Sequence, residues 1–441
     1  MRPQVIDYPS NSSGVFMEII NRLESEVRGY VRSFPKVFTW AKGNRMKAED
    51  GSEYLDFFSG AGALNYGHND ETMKAALIEY IQSDGVTHGL DMATAEKVKF
   101  LETFENVIMK PRGMEYKIQF PGPTGTNAVE AALKIARKVK KRPGVLFFTN
   151  AYHGMTLGAL AVTGNASKRG GAGVAMPGAT PLPYCGYFGE GRDTADDLEA
   201  MLKNSSSGLE KPAAIIVETV QGEGGINVAS FDWLKKVEKL CHEHDMLFIV
   251  DDIQAGVGRT GPFFSFEPAG IKPDIITVSK SLSGYGLPLA ITMIRPDLDI
   301  WSPGEHNGTF RGFNHAFATA NAALKTYWSD DKLEKETLRK SETIKQRLNE
   351  MVDAQPSFEA EIRGRGFFIG MDCANAELAD EIAAECFQNG LILETAGADD
   401  NVMKVMPPLI STDEDIAEGL DIIEKALATV LERHGLLNSA A

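Results

Sequence analysis

The sequence predicts an α/β fold: a mostly parallel sheet wrapped by helices, followed by a smaller α+β domain. Three observations predict it. From about Gly60 to Arg295, short β-rich runs (Val145–Thr149, Ala214–Glu218, Leu247–Asp251, Ile275–Val278, Ala290–Ile294) alternate with loops and amphipathic helices. The stretch NAVEAALKIARKVK at 127–140 sets Ala128, Ala132, Ile135, Ala136 and Val139 on one face at helical spacing. Beyond about residue 316 the texture turns helix-rich, with charged helices near 331–352, 377–389 and 413–433.

In chain order, residues 1–60 form an N-terminal segment that packs with the small domain, with a helix near Phe16–Val31 and a strand at Tyr54–Phe58. Residues 61–315 form the large domain and 316–441 the small one. At roughly 150 residues per domain, 441 residues agree with two or three units. A chain this long buries a core without disulfide or metal staples. Four cysteines (Cys185, Cys241, Cys373, Cys386) are too widely spaced for a zinc ribbon or a CxxC pair and read as reduced thiols. The opening MRPQVIDYPSNSSG lacks a basic-then-apolar leader, and no apolar run nears the ~18 residues of a membrane span. The expected location is therefore cytoplasmic. With 45 Lys plus Arg against 61 Asp plus Glu, the net charge is −16. Nucleic acid and anionic membranes would be repelled, so neither is an expected partner.

In an open α/β sheet, chemistry sits at the carboxyl ends of the strands. LFIVDDIQAGVGRTG ends an apolar strand in Asp251, Asp252 and Gln254. A carboxylate there is costly unless a cation meets it, although a turn-capping Asp fits the same pattern. In DIITVSKSLSGYG, Lys280 stands among Ser279, Ser281, Ser283 and Gly284. It is either a surface lysine or one in a Ser/Gly-lined pocket, where burial lowers its pKa and suits it to imine formation. In FPGPTGTNAVEAALK, a strand at Ile118–Phe120 leads through Gly122, Thr124, Gly125 and Thr126 into a helix expected to begin at Asn127. Asn127 and Glu130 read as its capping pair. Bare N–H groups at that start suit phosphate, although no Walker Gly-Lys-Ser/Thr follows and 364–370 is not a clean GxGxxG. Tyr152 and His153 follow the strand 145–149, and the tyrosine ring is able to stack on a flat ligand. His242 and His244, at i and i+2, do not share a helix face; no metal is expected.

A phosphate cradle, a stackable aromatic, a strand-end Asp and a pocket Lys, in that order, meet the needs of one cofactor: pyridoxal 5'-phosphate. Over nearly its whole length the chain also resembles the class-III aminotransferases. The segments that carry the resemblance are DGSEYLDFFSGAGALNYGHND, FPGPTGTNAVEAALKIARK, VETVQGEGGINVAS, VDDIQAGVGRTGPFFSFE, SKSLSGYGLPLAI, NGTFRGFNHAFATANAAL and VMKVMPPL. It implies the pyridoxal-phosphate fold type I, with a seven-stranded, mostly parallel sheet in the large domain. It also implies a homodimer or a dimer of dimers, with the site at the interface.

Roles follow from the same resemblance. It implies Lys280 as the lysine that binds the cofactor and shuttles the proton, and Asp251 as the partner of the pyridine nitrogen. Gln254 lies near the phenolic oxygen, Gly125 and Thr126 form the phosphate turn, and Tyr152 is the stacking aromatic. Thr309 in NGTF reaches the neighbouring subunit's phosphate. Glu218 and Glu223 lie beside the cofactor, Glu223 as a gate that pairs with a basic residue. FFSGAGALNYGHN and TFRGFNHAF point to nitrogen transfer between L-glutamate/2-oxoglutarate and the terminal carbon of L-aspartate 4-semialdehyde/L-2,4-diaminobutyrate.

The chain departs from the family pattern in three places: Asn127 replaces a commoner Glu, Thr219 replaces a Pro, and Lys404 stands where many relatives carry the Arg that grips the α-carboxylate. Lysine cannot form arginine's bidentate fork. Arg311 and Arg28 are therefore candidates to share that task, with Glu223 and Lys404 as the switch between substrates. Alternatives with the same fold are ω-aminotransferases of ornithine or 4-aminobutyrate type, or a pyridoxal-phosphate aminomutase, decarboxylase or racemase. A non-enzymatic binding module would not need both Lys280 and Asp251.

Overall fold

The computed structural model describes residues 13–189 and 191–437. Its largest sheet has seven strands: β1 (Lys117–Gln119), β2 (Val145–Phe148), β3 (Ala179–Leu182), β4 (Ala214–Val217), β5 (Leu247–Asp251), β6 (Ile275–Val278) and β7 (Ile291–Ile294). They lie in the order β1-β7-β6-β5-β4-β2-β3, and only β7 runs antiparallel to its neighbours. Strands β2, β4, β5 and β6 are buried at every position, because helices cover both sheet faces. That burial is why they read as unbroken apolar runs. Strand β3 escapes the sequence reading because Pro181 interrupts it. At the sheet edge a proline's missing N–H costs no ladder bond.

The helix Gly125–Lys140 buries Ala128, Ala132, Ile135 and Ala136 as its spacing predicts, while Val139 is half-buried. It begins at Gly125 rather than Asn127, because Thr124 is the cap. Asn127 Oδ1 accepts from Thr124 N at 3.2 Å and from Thr124 Oγ1 at 2.8 Å, so the capping pair is Thr124 with Asn127. Glu130 serves another helix instead. Its Oε1 accepts from Gly158 N at 2.9 Å and Ala159 N at 3.1 Å, at the start of Leu157–Ala161.

A second core lies under a four-stranded antiparallel sheet (Glu361–Arg365, Phe368–Asp372, Val402–Val405, Glu394–Ala396). The charged helices around it span Lys332–Asp353, Ala376–Gln388 and Asp413–Arg433. The N-terminal strands Phe38–Lys42, Arg45–Ala48 and Glu53–Asp56 form another sheet, completed by Leu391–Ile392. The first helix is Ser13–Leu23, shorter than expected, and a separate turn of helix follows at Tyr30–Ser33. Between them the Arg28 guanidinium takes the carbonyls of Glu24 and Ser25, each at 3.0 Å. The strand expected at Tyr54–Phe58 ends at Asp56, whose Oδ1 accepts from the N–H groups of Phe58 and Ser59.

One buried side chain ties the two cores together. Arg259, fully buried, donates to Asn65 Oδ1 at 2.6 Å on one side, and to the carbonyls of Phe367 (3.1 Å) and Pro407 (2.7 Å) on the other. Burial pulls its guanidinium down to about 9, but four hydrogen bonds to carbonyl-type oxygens make the charge tolerable. All four cysteines are free, and among the described residues no helix is long and apolar enough to cross a membrane.

Candidate active site

Strands β2, β4, β5 and β6 all point their carboxyl ends at one cleft of about 160 Å³. Gly125, Thr126, Tyr152, Glu218, Asp251, Gln254 and Lys280 all line it. The structure thus brings together seven of the residues singled out from sequence.

Lys280 opens the turn after β6, itself at φ 51°. Its Nζ donates to the Ala61 carbonyl at 2.7 Å, and Gln254 Nε2 donates to the same oxygen at 3.0 Å. Burial pushes the ammonium down to about 8, against the pull of Glu223. The Ala61 carbonyl faces this way because Ser59, Gly60, Ala61 and Gly62 all take positive φ (51°, 56°, 54° and 83°). Left-handed backbone costs about 1–2 kcal/mol per non-glycine residue, so the SGAG turn stores strain beside the lysine.

Asp251 closes β5 and is buried. Its Oδ1 accepts from Thr277 Oγ1 at 3.0 Å and Ile253 N at 3.2 Å; its Oδ2 accepts from His153 Nδ1 at 2.6 Å. Burial alone would pull the imidazole down. The hydrogen bond and charge of Asp251, helped by Glu218, carry it above the ordinary histidine value instead. The other ring nitrogen, Nε2, is buried with no hydrogen-bond partner. Glu218 follows β4 and accepts from Tyr152 N at 3.0 Å; burial lifts its carboxyl to about 8. Asp252 faces away from the cleft onto Ser265, whose N–H donates to it at 3.0 Å. Burial raises that carboxyl to about 7.

The far wall is a cradle without room for side chains. A Cβ on Gly125 would lie 3.0 Å from Ile253 Cδ1, and one on Gly154 would lie 2.4 Å from Thr126 Oγ1. Thr126 Oγ1 bonds Thr156 Oγ1 at 2.7 Å. The adjoining helix N-terminus supplies N–H groups and a favourable dipole for an anion. Tyr152 carries the Lys168 ammonium 4.8 Å from its ring centroid. An amine of lowered pKa, a buried carboxylate, an aromatic side chain and a glycine-threonine cradle fit a flat, phosphorylated pyridine aldehyde.

Next to this cleft lies a charge triad. Glu223 sits at the tip of the hairpin Val220–Gln221/Asn227–Val228, between Gly222 and Gly224. Lys404 Nζ lies 2.8 Å from Glu223 Oε1 and 2.5 Å from Glu394 Oε1. Gln254 Nε2, 3.4 Å from Glu223 Oε1, links the triad to the Lys280 side. Burial alone would raise Glu223; the charges of Lys404 and Lys280 outweigh it and bring Glu223 down to about 2.

Three candidates lie elsewhere. Thr309 is exposed on the loop before Asn314–Tyr327 and does not line the cleft of its own chain. Arg311, on the same loop, donates to Asn307 Oδ1 at 3.0 Å. Arg28 is occupied by its neighbouring carbonyls and by Asn21 Oδ1 at 3.0 Å. The sequence reading gave His153 no role and did not single out Glu394 or the Ala61 carbonyl. His153 had a signal, a polar ring directly after a strand-end aromatic; Glu394 had none, since its partner is ten residues away across a turn.

The class-III aminotransferase family model matches residues 28–427. The diaminobutyrate–2-oxoglutarate transaminase of Halalkalibacterium halodurans is 56% identical over 421 residues, 96% of this chain and 98% of that protein. The enzyme of the same name from Halomonas elongata is 55% identical over 410 residues, 92% of this chain and 97% of that one. Among solved structures, an ornithine aminotransferase from Toxoplasma gondii, with pyridoxal phosphate partly occupying its active site, superposes with a TM-score of 0.84. It is 28% identical and covers 97% of this chain and 96% of its own. Sequence and fold agree over the same length: the chain belongs to the class-III aminotransferases, and its cofactor is pyridoxal 5'-phosphate.

Proposed function

We propose that the protein is a diaminobutyrate–2-oxoglutarate transaminase. It moves the amino group of L-glutamate to the terminal carbon of L-aspartate 4-semialdehyde, giving L-2,4-diaminobutyrate and 2-oxoglutarate, the first step from the semialdehyde towards ectoine. The observation that carries this reading is the Glu223–Lys404 pair, 2.8 Å apart beside Lys280, in a chain 56% identical to a transaminase of that name.

When bound, pyridoxal phosphate supplies an aldehyde for the amine and a ring that draws electrons from the bond being broken. Gly125 and Thr126 would hold its phosphate, and Tyr152 and Gln254 would hold its ring. Asp251 would keep the ring nitrogen protonated, with His153 fixing the carboxylate from behind and Glu218 lining the same wall. Lys280, freed from the Ala61 carbonyl, would anchor the cofactor and carry the proton to and from the reacting carbon. The terminal amine of diaminobutyrate has no carboxylate on its reacting carbon, so Glu223 stays on Lys404. Glutamate brings one, and Glu223 gives way to it.

The same reading divides the chain at 60 and 315 and makes it a cytoplasmic homodimer or dimer of dimers. It is supported by the pairing of Glu53–Asp56 with Leu391–Ile392, by four free cysteines, and by Thr309 and Phe310 standing exposed on their loop.

With glutamate labelled in its amino nitrogen and the semialdehyde as acceptor, the label is expected at C4 of the product, read by nitrogen-15 NMR. Label at the α position, or no transfer at all, would overturn the reading. Gly154→Ala is expected to weaken pyridoxal phosphate binding about tenfold or more. Gly154 has φ +128°, and the new Cβ would push Thr126 out of the cradle. Spectral titration of the apoprotein measures this; unchanged affinity would remove Thr126 from the phosphate site.

A further inference from the structure

Lys404 has two carboxylates, not one, and they differ in what they can do. Glu394 stands directly across the ladder from Lys404 on adjacent antiparallel strands, so both side chains share a face. It is therefore held by a sheet, with 9% of its side chain exposed, whereas Glu223 is 21% exposed on a glycine-flanked hairpin tip. The glycine loop can move; the ladder cannot without breaking. The Lys404 side chain is fully buried, so it cannot turn to water when Glu223 leaves.

We infer that Glu394 is a positioning residue that sets substrate preference: it stays on Lys404 when Glu223 withdraws, and it takes up a proton when an α-carboxylate arrives in Glu223's place. The inference rests on glutamate being the amino donor. Two carboxylates on one buried ammonium leave the triad at net −1. Glu223 keeps its charge on the hairpin tip when it swings off Lys404, so an entering carboxylate takes the site to net −2, while lysine offers only a point charge to answer it.

The groups facing Glu394 leave it as the acceptor of that proton. They are Lys404 on the neighbouring strand, Glu223 on the hairpin, the Tyr30 phenol from the N-terminal segment and, further off, Lys280. Asp380 of the covering helix bonds Thr395 Oγ1 at 3.3 Å, on the strand's other face. Burial and Glu223 push the Glu394 carboxyl up, and Lys404 opposes them. Its Oε1 lies 2.5 Å from Lys404 Nζ.

The sign follows. A carboxyl that gains a proton on binding makes affinity fall as pH rises. This holds for glutamate and other dicarboxylates, but not for the terminal-amine substrate, which leaves Glu223 in place.

The test uses the holoenzyme and glutarate, an unreactive five-carbon dicarboxylate. Titration calorimetry in buffers of different ionisation enthalpy is expected to show proton uptake approaching one per site. Glu394→Gln is expected to abolish that uptake and to lower KM for glutamate about fivefold, with its pH dependence lost and no fall in KM for diaminobutyrate. Glu394→Asp, still ionisable, keeps the uptake. Absence of uptake in the wild type needs no variant to interpret and overturns the inference. So does a Glu394→Gln protein that retains uptake, or whose two KM values move together. A wild type that neither binds glutarate nor reacts with glutamate overturns the transaminase reading itself.

Discussion

Lys280→Ala is expected to fold, to bind pyridoxal phosphate, and to transaminate at least about ten-thousandfold more slowly than the wild type. In the proposed mechanism the lysine is both the amine that joins the cofactor and the base at the reacting carbon, and no neighbour is placed to replace it. Of the other amines nearby, Lys404 is held by two carboxylates and Lys168 lies over the Tyr152 ring. Folding survives because Lys280 Nζ has a single hydrogen bond, to Ala61 O, and that carbonyl keeps Gln254 as a donor after truncation. Alanine also tolerates φ 51° no worse than lysine does. The cofactor keeps its phosphate cradle and ring contacts, so retention by the variant is weakened rather than lost. Thermal melting, absorbance of the bound cofactor and single-turnover rates separate these effects. Turnover near the wild-type rate would remove Lys280 from the chemistry.

What was legible in the sequence follows from how each residue is held. Asp251 and Lys280 sit at ends of strands that are buried throughout, and such strands announce themselves as apolar runs. Their ends are then read directly from the sequence, as is the amphipathic face of Gly125–Lys140. Edge strand β3 is quieter because an edge tolerates Pro181. The capping pair was displaced by three residues because Thr124, Asn127 and Glu130 all have side chains able to cap. Only the fold shows that Glu130 is taken by Gly158 and Ala159.

Glu394 was invisible for a different reason. Its meaning depends on strand register, in which Glu394 lies opposite Lys404 across the turn from 397 to 401. The strain at Ser59–Gly62 is also tertiary, since no local rule makes Ser and Ala adopt left-handed backbone. Thr309 stands on an exposed loop outside the cleft of its own chain, so its proposed role belongs to the proposed dimer.

Asp251→Asn is expected to lose about a hundred- to a thousandfold in rate, equally in both half-reactions, while staying folded. The amide matches the carboxylate in shape. Its oxygen still accepts from Thr277 Oγ1 and Ile253 N, the two bonds that tie the end of β5 to its neighbours. The side that changes faces His153. Its Nδ1 lies 2.6 Å from Asp251 Oδ2, and an NH2 there forces the imidazole to accept rather than donate. The ring proton then moves to Nε2, which is buried without a partner, so stability falls by about 1–3 kcal/mol. The loss in rate has a separate cause: a neutral amide cannot stabilise a protonated ring nitrogen, and both half-reactions need that charge to the same degree. The equality of the two losses is the diagnostic feature, because damage to the Glu223–Lys404–Glu394 triad is expected to fall on the glutamate half. Single-turnover rates with glutamate and with diaminobutyrate, measured beside the melting temperature, distinguish the two. If both rates hold while the melting temperature drops, Asp251 is a structural strand-end residue and His153 is its partner only in folding.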